Sequence, residues 1–266
     1  MAEQQYFFCG VAGSGMLPLA SYLQAQGARV SGSDRSFDQG RLPEKKAQIE
    51  ELGIVLHPQD GSGLTGPDQI LVTSAAVEAT IPDVAAAERV GARWMTRAEV
   101  LSGLANAAPI SVGIAGTSGK STTTAMLAHI LIETGRDPAI INGAGMLNVR
   151  GNDGAPLGWR AGKGPFLCEV DESDGSIDLY RPSIGVILNI SEDHKSMAEL
   201  EAHFSAYHQR SGSSVLGVAS PPVAQLAASA AGGPTRTFAA YDPNTNDRPE
   251  IDFYATDLET SHTGVS

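Results

Sequence analysis

The chain is poor in cysteine, in aromatic residues and in positive charge. Its 266 residues include two cysteines, Cys9 and Cys168, far apart and each inside an apolar run. That usage excludes a disulfide-stapled secreted scaffold and makes a reducing, cytoplasmic compartment the expectation. Lysine and arginine total 18 against 30 aspartates and glutamates, a formal net charge of −12. A field of that sign repels polyanions, so general nucleic-acid binding, which needs a basic face, is excluded. Local capture of a phosphorylated metabolite is not excluded, because backbone amides and one lysine suffice for it. No apolar run reaches the length of a membrane span. The opening Met1-Ala2-Glu3-Gln4-Gln5 lacks the basic segment of a signal peptide. What the chain does have is glycine, 30 residues of it, and an apolar content of 42%. That is enough for one large or two ordinary cores, and the many tight turns suit an α/β protein.

Short apolar runs alternate with helical stretches closed by glycine. Tyr6–Cys9 reads as a strand buried on both faces, followed by a helix from Ser14 to Gln26 that stops at Gly27. Ala28–Ser31, Ile54–Leu56 and Gln69–Thr73 read as further strands, and Glu44–Leu52, Ile81–Val90 and Arg97–Leu104 as helices. This rhythm predicts a Rossmann-like, doubly wound parallel sheet. After Asn106-Ala107-Ala108-Pro109 it restarts, so a domain boundary is expected near residue 108, giving domains 1–108 and 109–266. In the second, Ile110–Ala115 is a strand and Lys120–Thr134 a helix. Residues 142–165 read as a long loop or irregular hairpin, and Phe166–Val170 and Ile184–Ile190 as buried strands. Met197–Tyr207 and Ala224–Ala231 read as helices, Ser214–Val218 and Ile251–Ala255 as strands.

Four motifs carry chemistry. Gly116-Thr117-Ser118-Gly119-Lys120-Ser121-Thr122 lies between a strand and a helix. Glycines there let backbone N–H groups face a phosphate, and the helix N-terminus adds positive potential. Lys120 would sit on the β- and γ-phosphates and Ser121 on Mg²⁺. Ile114 stands where the longer P-loop has its first glycine, so this is a shortened form. The plain alternative is a strand-to-helix turn with a capping serine. The second motif, Cys168-Glu169-Val170-Asp171-Glu172-Ser173-Asp174, puts carboxylates at the end of a buried strand, where Mg²⁺ is held beside a phosphate loop. Alone it could be a solvated acidic loop. The third, Asn189-Ile190-Ser191-Glu192-Asp193-His194, brings a histidine to a strand end. It could ligate a metal or orient a phosphate, or Ser191 could simply cap a helix with Asp193-His194 exposed. The fourth, Gly10-Val11-Ala12-Gly13-Ser14-Gly15-Met16, imitates a dinucleotide fingerprint, with Asp34 about twenty residues on to accept a ribose hydroxyl.

In this order the motifs resemble the muramoyl-peptide ligase (Mur ligase) family of peptidoglycan synthesis. Nearest is the branch adding L-alanine to UDP-N-acetylmuramate, or its sister that adds a recycled tripeptide. Ser31-Gly32-Ser33-Asp34, Thr73-Ser74-Ala75-Ala76 and Arg97-Ala98-Glu99-Val100-Leu101 extend the likeness. The resemblance implies a UDP-sugar site with Gly13, Ser14 and Gly15 near the diphosphate and Asp34 near the ribose. Ser74 and Ala75 would line the same cleft, with Arg97 on the substrate side. It implies ATP on Gly116–Thr122, Mg²⁺ on Ser121 and Glu169, and His194 at a second metal or the reacting phosphate. Lys120, Glu169 and His194 would then be catalytic. The implied reaction activates the muramoyl carboxylate as an acyl phosphate, which the amino group of an amino acid or peptide attacks. Ser118 replaces the histidine usual in the alanine-adding branch, and Lys195-Ser196-Met197 replaces its usual run, which leaves the amino substrate open. The family continues with an adenine-binding asparagine motif and a third domain. The chain is therefore expected to be a truncated form or a shortened homologue that does not turn over alone.

Three other readings compete. An NAD-dependent oxidoreductase accounts for the first loop and Asp34 but not for the second phosphate loop. A folate-polyglutamate or cyanophycin type of ligase shares the central domain but not the first hundred residues. A non-catalytic UDP-sugar-binding relative fits the length of the chain but not its Lys120, Glu169 and His194.

Overall fold

The computed structural model describes residues 4–78, 80–173, 175–192, 195–229, 232–240, 251–255, 260–261 and 264–265. The chain divides into two compact units, Met1–Ala107 with Ala125–Leu167, and Ala108–Thr124 with Cys168–Ser266. Among the described residues no helix is long and apolar enough to cross a membrane.

The chain begins with β1 (Gln5–Cys9), α1 (Met16–Ala25), β2 (Arg29–Ser33) and a short α2 (Arg35–Asp38). Then come α3 (Pro43–Glu51), β3 (Val55–His57), β4 (Gln69–Thr73), α4 (Pro82–Val90), β5 (Arg93–Thr96) and α5 (Arg97–Ala107). The five strands form one sheet in the order β3-β2-β1-β4-β5, every pair parallel. β1 is central, and Phe7 and Phe8, adjacent in sequence and therefore on opposite faces, are both fully buried. That is why the strand reads as an unbroken apolar run. Phe7 packs with Leu71, Val84 and Ala87, while α1 buries Leu19, Ala20 and Leu23. From β1 the chain lays β2 and β3 to one side and β4 and β5 to the other. The reversal is a topological switch point, and a crevice opens there at the carboxyl ends of β1 and β4.

Gly32 in β2 is closely packed against β1 and the glycine loop. A Cβ on it would stand 2.6 Å from the Phe8 carbonyl oxygen and 3.0 Å from the Val11 Cβ. Gly32→Ala is expected to cost about 2 kcal/mol of stability through overpacking. A denaturant-midpoint shift worth less than ~0.5 kcal/mol would show that β1 and β2 yield easily.

The chain continues with β6 (Ser111–Ala115), α6 (Lys120–Glu133), β7 (Ala139–Arg150), β8 (Pro156–Arg160) and β9 (Phe166–Glu169). After a 3₁₀ turn at Ser176–Leu179 come β10 (Ile184–Ile187), α7 (Met197–Arg210) and β11 (Ser213–Gly217). α8 (Pro221–Ala228), β12 (Thr235–Ala240), β13 (Phe253–Ala255) and a two-residue antiparallel pair complete it. In the second unit β6, β10, β11, β12 and β13 pair successively in parallel. Tyr207 of α7 lies wholly buried beneath β6, its hydroxyl donating to the Gly113 carbonyl at 2.9 Å. A side chain on Gly113 would meet that hydroxyl, which explains the glycine.

Of the two readings of residues 142–165, a long loop or an irregular hairpin, the irregular hairpin is the one the structure shows. Most of them form the β7–β8 antiparallel hairpin of the first unit, with two register shifts that absorb its glycines. The strands β5 and β12 and the helix α2 go beyond the sequence reading. α8 begins at Pro221, three residues before the expected start. α7 is capped by Ser196 in a reciprocal capping box with Glu199, so Ser191 is not its cap.

Candidate functional site

In the second unit the phosphate loop leaves β6 and enters α6. Gly116 has φ +146° and Gly119 φ +81°, conformations that side-chain-bearing residues rarely adopt. A Cβ on Gly116 would also lie 3.1 Å from the Leu188 Cβ. The loop is tied to the end of the neighbouring strand by Asn189. Its Oδ1 accepts from the Thr117 hydroxyl at 2.8 Å, the Ser118 amide at 3.0 Å and the Ser118 hydroxyl at 3.2 Å. Its Nδ2 donates to the Ser118 carbonyl at 3.1 Å. Ser191 joins in, its amide donating to the Thr117 hydroxyl at 3.1 Å.

Two carboxylates face the loop, and they take different partners. The Val170 amide donates to the Ile114 carbonyl at 2.9 Å, which sets the end of β9 beside β6. Glu169 Oε2 accepts from the Ser121 hydroxyl at 2.8 Å. Glu172 is paired instead with Lys120, Nζ to Oε2 at 2.9 Å, and the ammonium also donates to the Gly116 carbonyl at 2.7 Å. Thr122 lies exposed in the first turn of α6. The structure thus brings together Gly116–Thr122 and Glu169. His194 lies outside the described residues, as do Asp174 and Asp193. Among the described residues no three histidines, cysteines or acids cluster as a metal site. The Asn189 clamp and the Lys120–Glu172 pair come from the fold, although both residues lie within motifs visible in the sequence.

In the first unit a crevice of about 590 Å³ opens at the switch point. It is lined by Gly13, Ser14, Gly15, Ser74 and Arg97 of the expected set, and by Arg35 and Gln59, which were not anticipated. Arg97 lies against the glycine loop, its Nε 3.3 Å from where a Gly15 Cβ would be. Two guanidinium groups beside a glycine turn and a helix N-terminus suit an anion such as a diphosphate. Ala75 is exposed and is not part of the lining. Asp34 stands behind the loop, 9% exposed, and its two oxygens accept from the Ala12 and Ser36 amides, both at 2.9 Å. It holds the loop against β2 and caps α2.

Under the crevice Asp83 is fully buried and accepts from the Ser33 hydroxyl at 2.5 Å and the Gly61 amide at 3.0 Å. Burial raises its carboxyl above the ordinary range. Burial first, and then this carboxylate, push the Cys9 thiol up to about 12. The thiolate is the nucleophile, so iodoacetamide at pH 8 should leave Cys9 intact in the native chain and alkylate it after denaturation. Peptide mass spectrometry reads this directly, and rapid native labelling would contradict the environment described.

Over residues 5–109 the chain matches a family described as the Mur ligase family, catalytic domain, and over 114–265 one described as the Mur ligase middle domain. It is 38% identical over 201 residues to the UDP-N-acetylmuramate–L-alanine ligase of Bifidobacterium longum subsp. infantis, covering 75% of this chain and 38% of that protein. To the ligase of the same name from Synechococcus sp. (strain JA-3-3Ab) it is 42% identical over 207 residues, 77% of this chain and 38% of that one. The chain therefore spans less than half the length of these curated relatives. Among solved structures it is similar to the UDP-N-acetylmuramate:L-alanyl-γ-D-glutamyl-meso-diaminopimelate ligase of Neisseria meningitides. The TM-score is 0.75 with 23% identity, over 89% of this chain and 78% of that one, a likeness of fold.

Proposed function

The chain belongs to the Mur ligase family, and on that premise we propose that it forms the sugar-nucleotide and ATP sites of an ATP-dependent amide ligase. The reaction would join an amino acid or peptide to the carboxylate of UDP-N-acetylmuramate, in the synthesis or recycling of peptidoglycan precursors. Residues 1–108 would bind the UDP-sugar and residues 109–266 the ATP. The observation that carries the reading is the glycine loop at Gly116–Lys120, clamped by Asn189 and faced by Glu169 and Glu172. The partners are small molecules, with no role for nucleic acid or a membrane, and the place of action is the cytoplasm.

In this reading Gly13, Ser14, Gly15 and Arg97 would hold the diphosphate, and Ser74 would line the same cleft, with Ala75 outside it. Asp34 would reach the ribose through lone pairs its two amide donors leave over. Gly116–Thr122 would cradle the ATP phosphates. The muramoyl carboxylate would attack the γ-phosphate, giving an acyl phosphate and ADP. The amine would then attack the acyl carbon through a tetrahedral intermediate, expelling phosphate. Lys120 would offset the charge spreading over the transferred group. Ser121 and Glu169 suit Mg²⁺, since both are hard oxygen donors 2.8 Å apart and one is a carboxylate. His194 would complete that set or hold the reacting phosphate. When bound, Mg²⁺ would supply further charge neutralisation at the phosphate oxygens.

Calorimetric titration with UDP-N-acetylmuramate, NAD⁺ and ADP tests the reading. Binding of the sugar nucleotide and ADP, without NAD⁺, is the expected result. NAD⁺ in place of the sugar nucleotide would turn the first unit into an oxidoreductase site. ADP alone would leave only the central site standing.

A further inference from the structure

We propose that the Glu172 carboxylate competes with nucleotide phosphate for the Lys120 ammonium, and so sets how tightly the loop takes a polyphosphate. The inference rests on the nucleotide reading above and gives a role of its own to Glu172, to which that reading assigns no step. The ion pair is shielded, with the lysine side chain 17% and the glutamate side chain 5% exposed. Salt and water screen such a pair far less than a surface one. Lys120 is folded back onto the loop it serves, with two of its three N–H donors on Glu172 and on the Gly116 carbonyl. Glu172 has an anchor of its own. Its backbone carbonyl accepts from Lys195 Nζ at 2.9 Å and from the Gly175 amide at 3.1 Å. Its place therefore does not depend on Lys120. Glu169, three residues earlier, bonds Ser121, so the two carboxylates divide the loop between them.

A phosphate that reaches Lys120 must displace this carboxylate and bear its charge close by. Removing the charge should therefore strengthen binding, whereas a residue that only supported the loop would weaken it when changed. The test titrates the full chain with tripolyphosphate and with ADP, in EDTA, comparing wild type, Glu172→Gln, Lys120→Met and the double variant. Glu172→Gln is expected to bind both probes roughly tenfold more tightly than wild type. That gain should vanish when Lys120 is methionine in both members of the comparison.

Unchanged or weaker tripolyphosphate binding by Glu172→Gln would overturn the proposal. So would a gain that persists without Lys120, which would mark a general charge effect. Tighter tripolyphosphate binding with no ADP binding by any variant would uphold the competition and remove the ATP reading. Equal ADP binding by wild type and Glu172→Gln would do the reverse. Should Glu172→Gln fail to fold, Glu172→Asp retracts the carboxylate by one methylene and should shift affinity in the same direction by less. An aspartate variant that binds no more tightly than wild type would then overturn the proposal.

Discussion

Lys120→Ala should weaken ADP binding by at least ~100-fold while leaving UDP binding to the first unit within about twofold. The asymmetry follows from where the ammonium sits. It reaches the Gly116 carbonyl and Glu172 from the first turn of α6, whereas the crevice that would hold UDP is lined by residues between Cys9 and Arg97. The variant also strips a buried carboxylate of its partner, because Glu172 is 4% exposed. Breaking a buried pair on one side costs about 3 kcal/mol or more, so a fall in unfolding temperature is expected alongside the loss of binding. Lys120→Ala combined with Glu172→Gln separates the two effects, since it removes both charges. It should recover most of the stability and none of the ADP affinity. Parallel titrations with ADP and UDP, with thermal unfolding of each variant, make the measurement. Equal loss of both ligands would mean that the phosphate loop and the crevice of the first unit are not independent sites.

How much of this was legible in the sequence depended on what each residue is buried against. β1 could be read because both faces of Tyr6–Cys9 are covered, which leaves a continuous apolar run with glycine after it. The phosphate loop could be read because its glycines adopt backbone conformations other residues avoid, and that need shows as composition. β5 and β12 could not, since both are partly exposed and neither alternates apolar with polar residues nor is apolar along its whole length. For residues 142–165 the sequence left loop and irregular hairpin both open, because the glycines there, which permit close approach of backbones, mark a turn as readily as a strand. A Gly158 Cβ would stand 3.2 Å from the Pro18 Cγ on α1 and 2.8 Å from the Asn142 carbonyl oxygen. A sequence shows that such a residue is a glycine without showing what it lies against. The same limit applies to the carboxylates. Glu169, Asp171 and Glu172 are three acids in one short stretch, and only the fold distributes them. Spacing gave Asp34 to a ribose, while the fold also gives its two oxygens to backbone amides. A buried carboxylate with two good donors already has a structural reason to be there.

Asn189→Ala should lower ADP affinity by roughly tenfold or more with little change in stability. One carboxamide makes four hydrogen bonds to Thr117 and Ser118, residues at the middle of the phosphate loop. Alanine keeps the backbone bond from the Thr117 amide to the residue-189 carbonyl, 3.2 Å in the native chain, and so keeps the loop near its place. What it removes is the fixing of the peptide at Ser118. The loop's amides must converge on a phosphate without first being ordered, and a loop left to fluctuate meets that ordering cost at binding. Stability changes little because Ser118 is exposed, so water replaces the lost bonds there. Asn189→Asp sharpens the test. It preserves the acceptor toward the Ser118 amide, loses the donor toward the Ser118 carbonyl, and sets a negative charge beside the phosphate position. It should therefore bind ADP more weakly than alanine does, and the difference between the two should shrink as salt is raised. Unfolding midpoints near wild type, together with tenfold weaker ADP binding, would assign the effect to the shape of the loop. ADP affinity within twofold of wild type for the alanine variant would show that the loop holds its form without the clamp. The glycine conformations at 116 and 119 would then have to account for it alone.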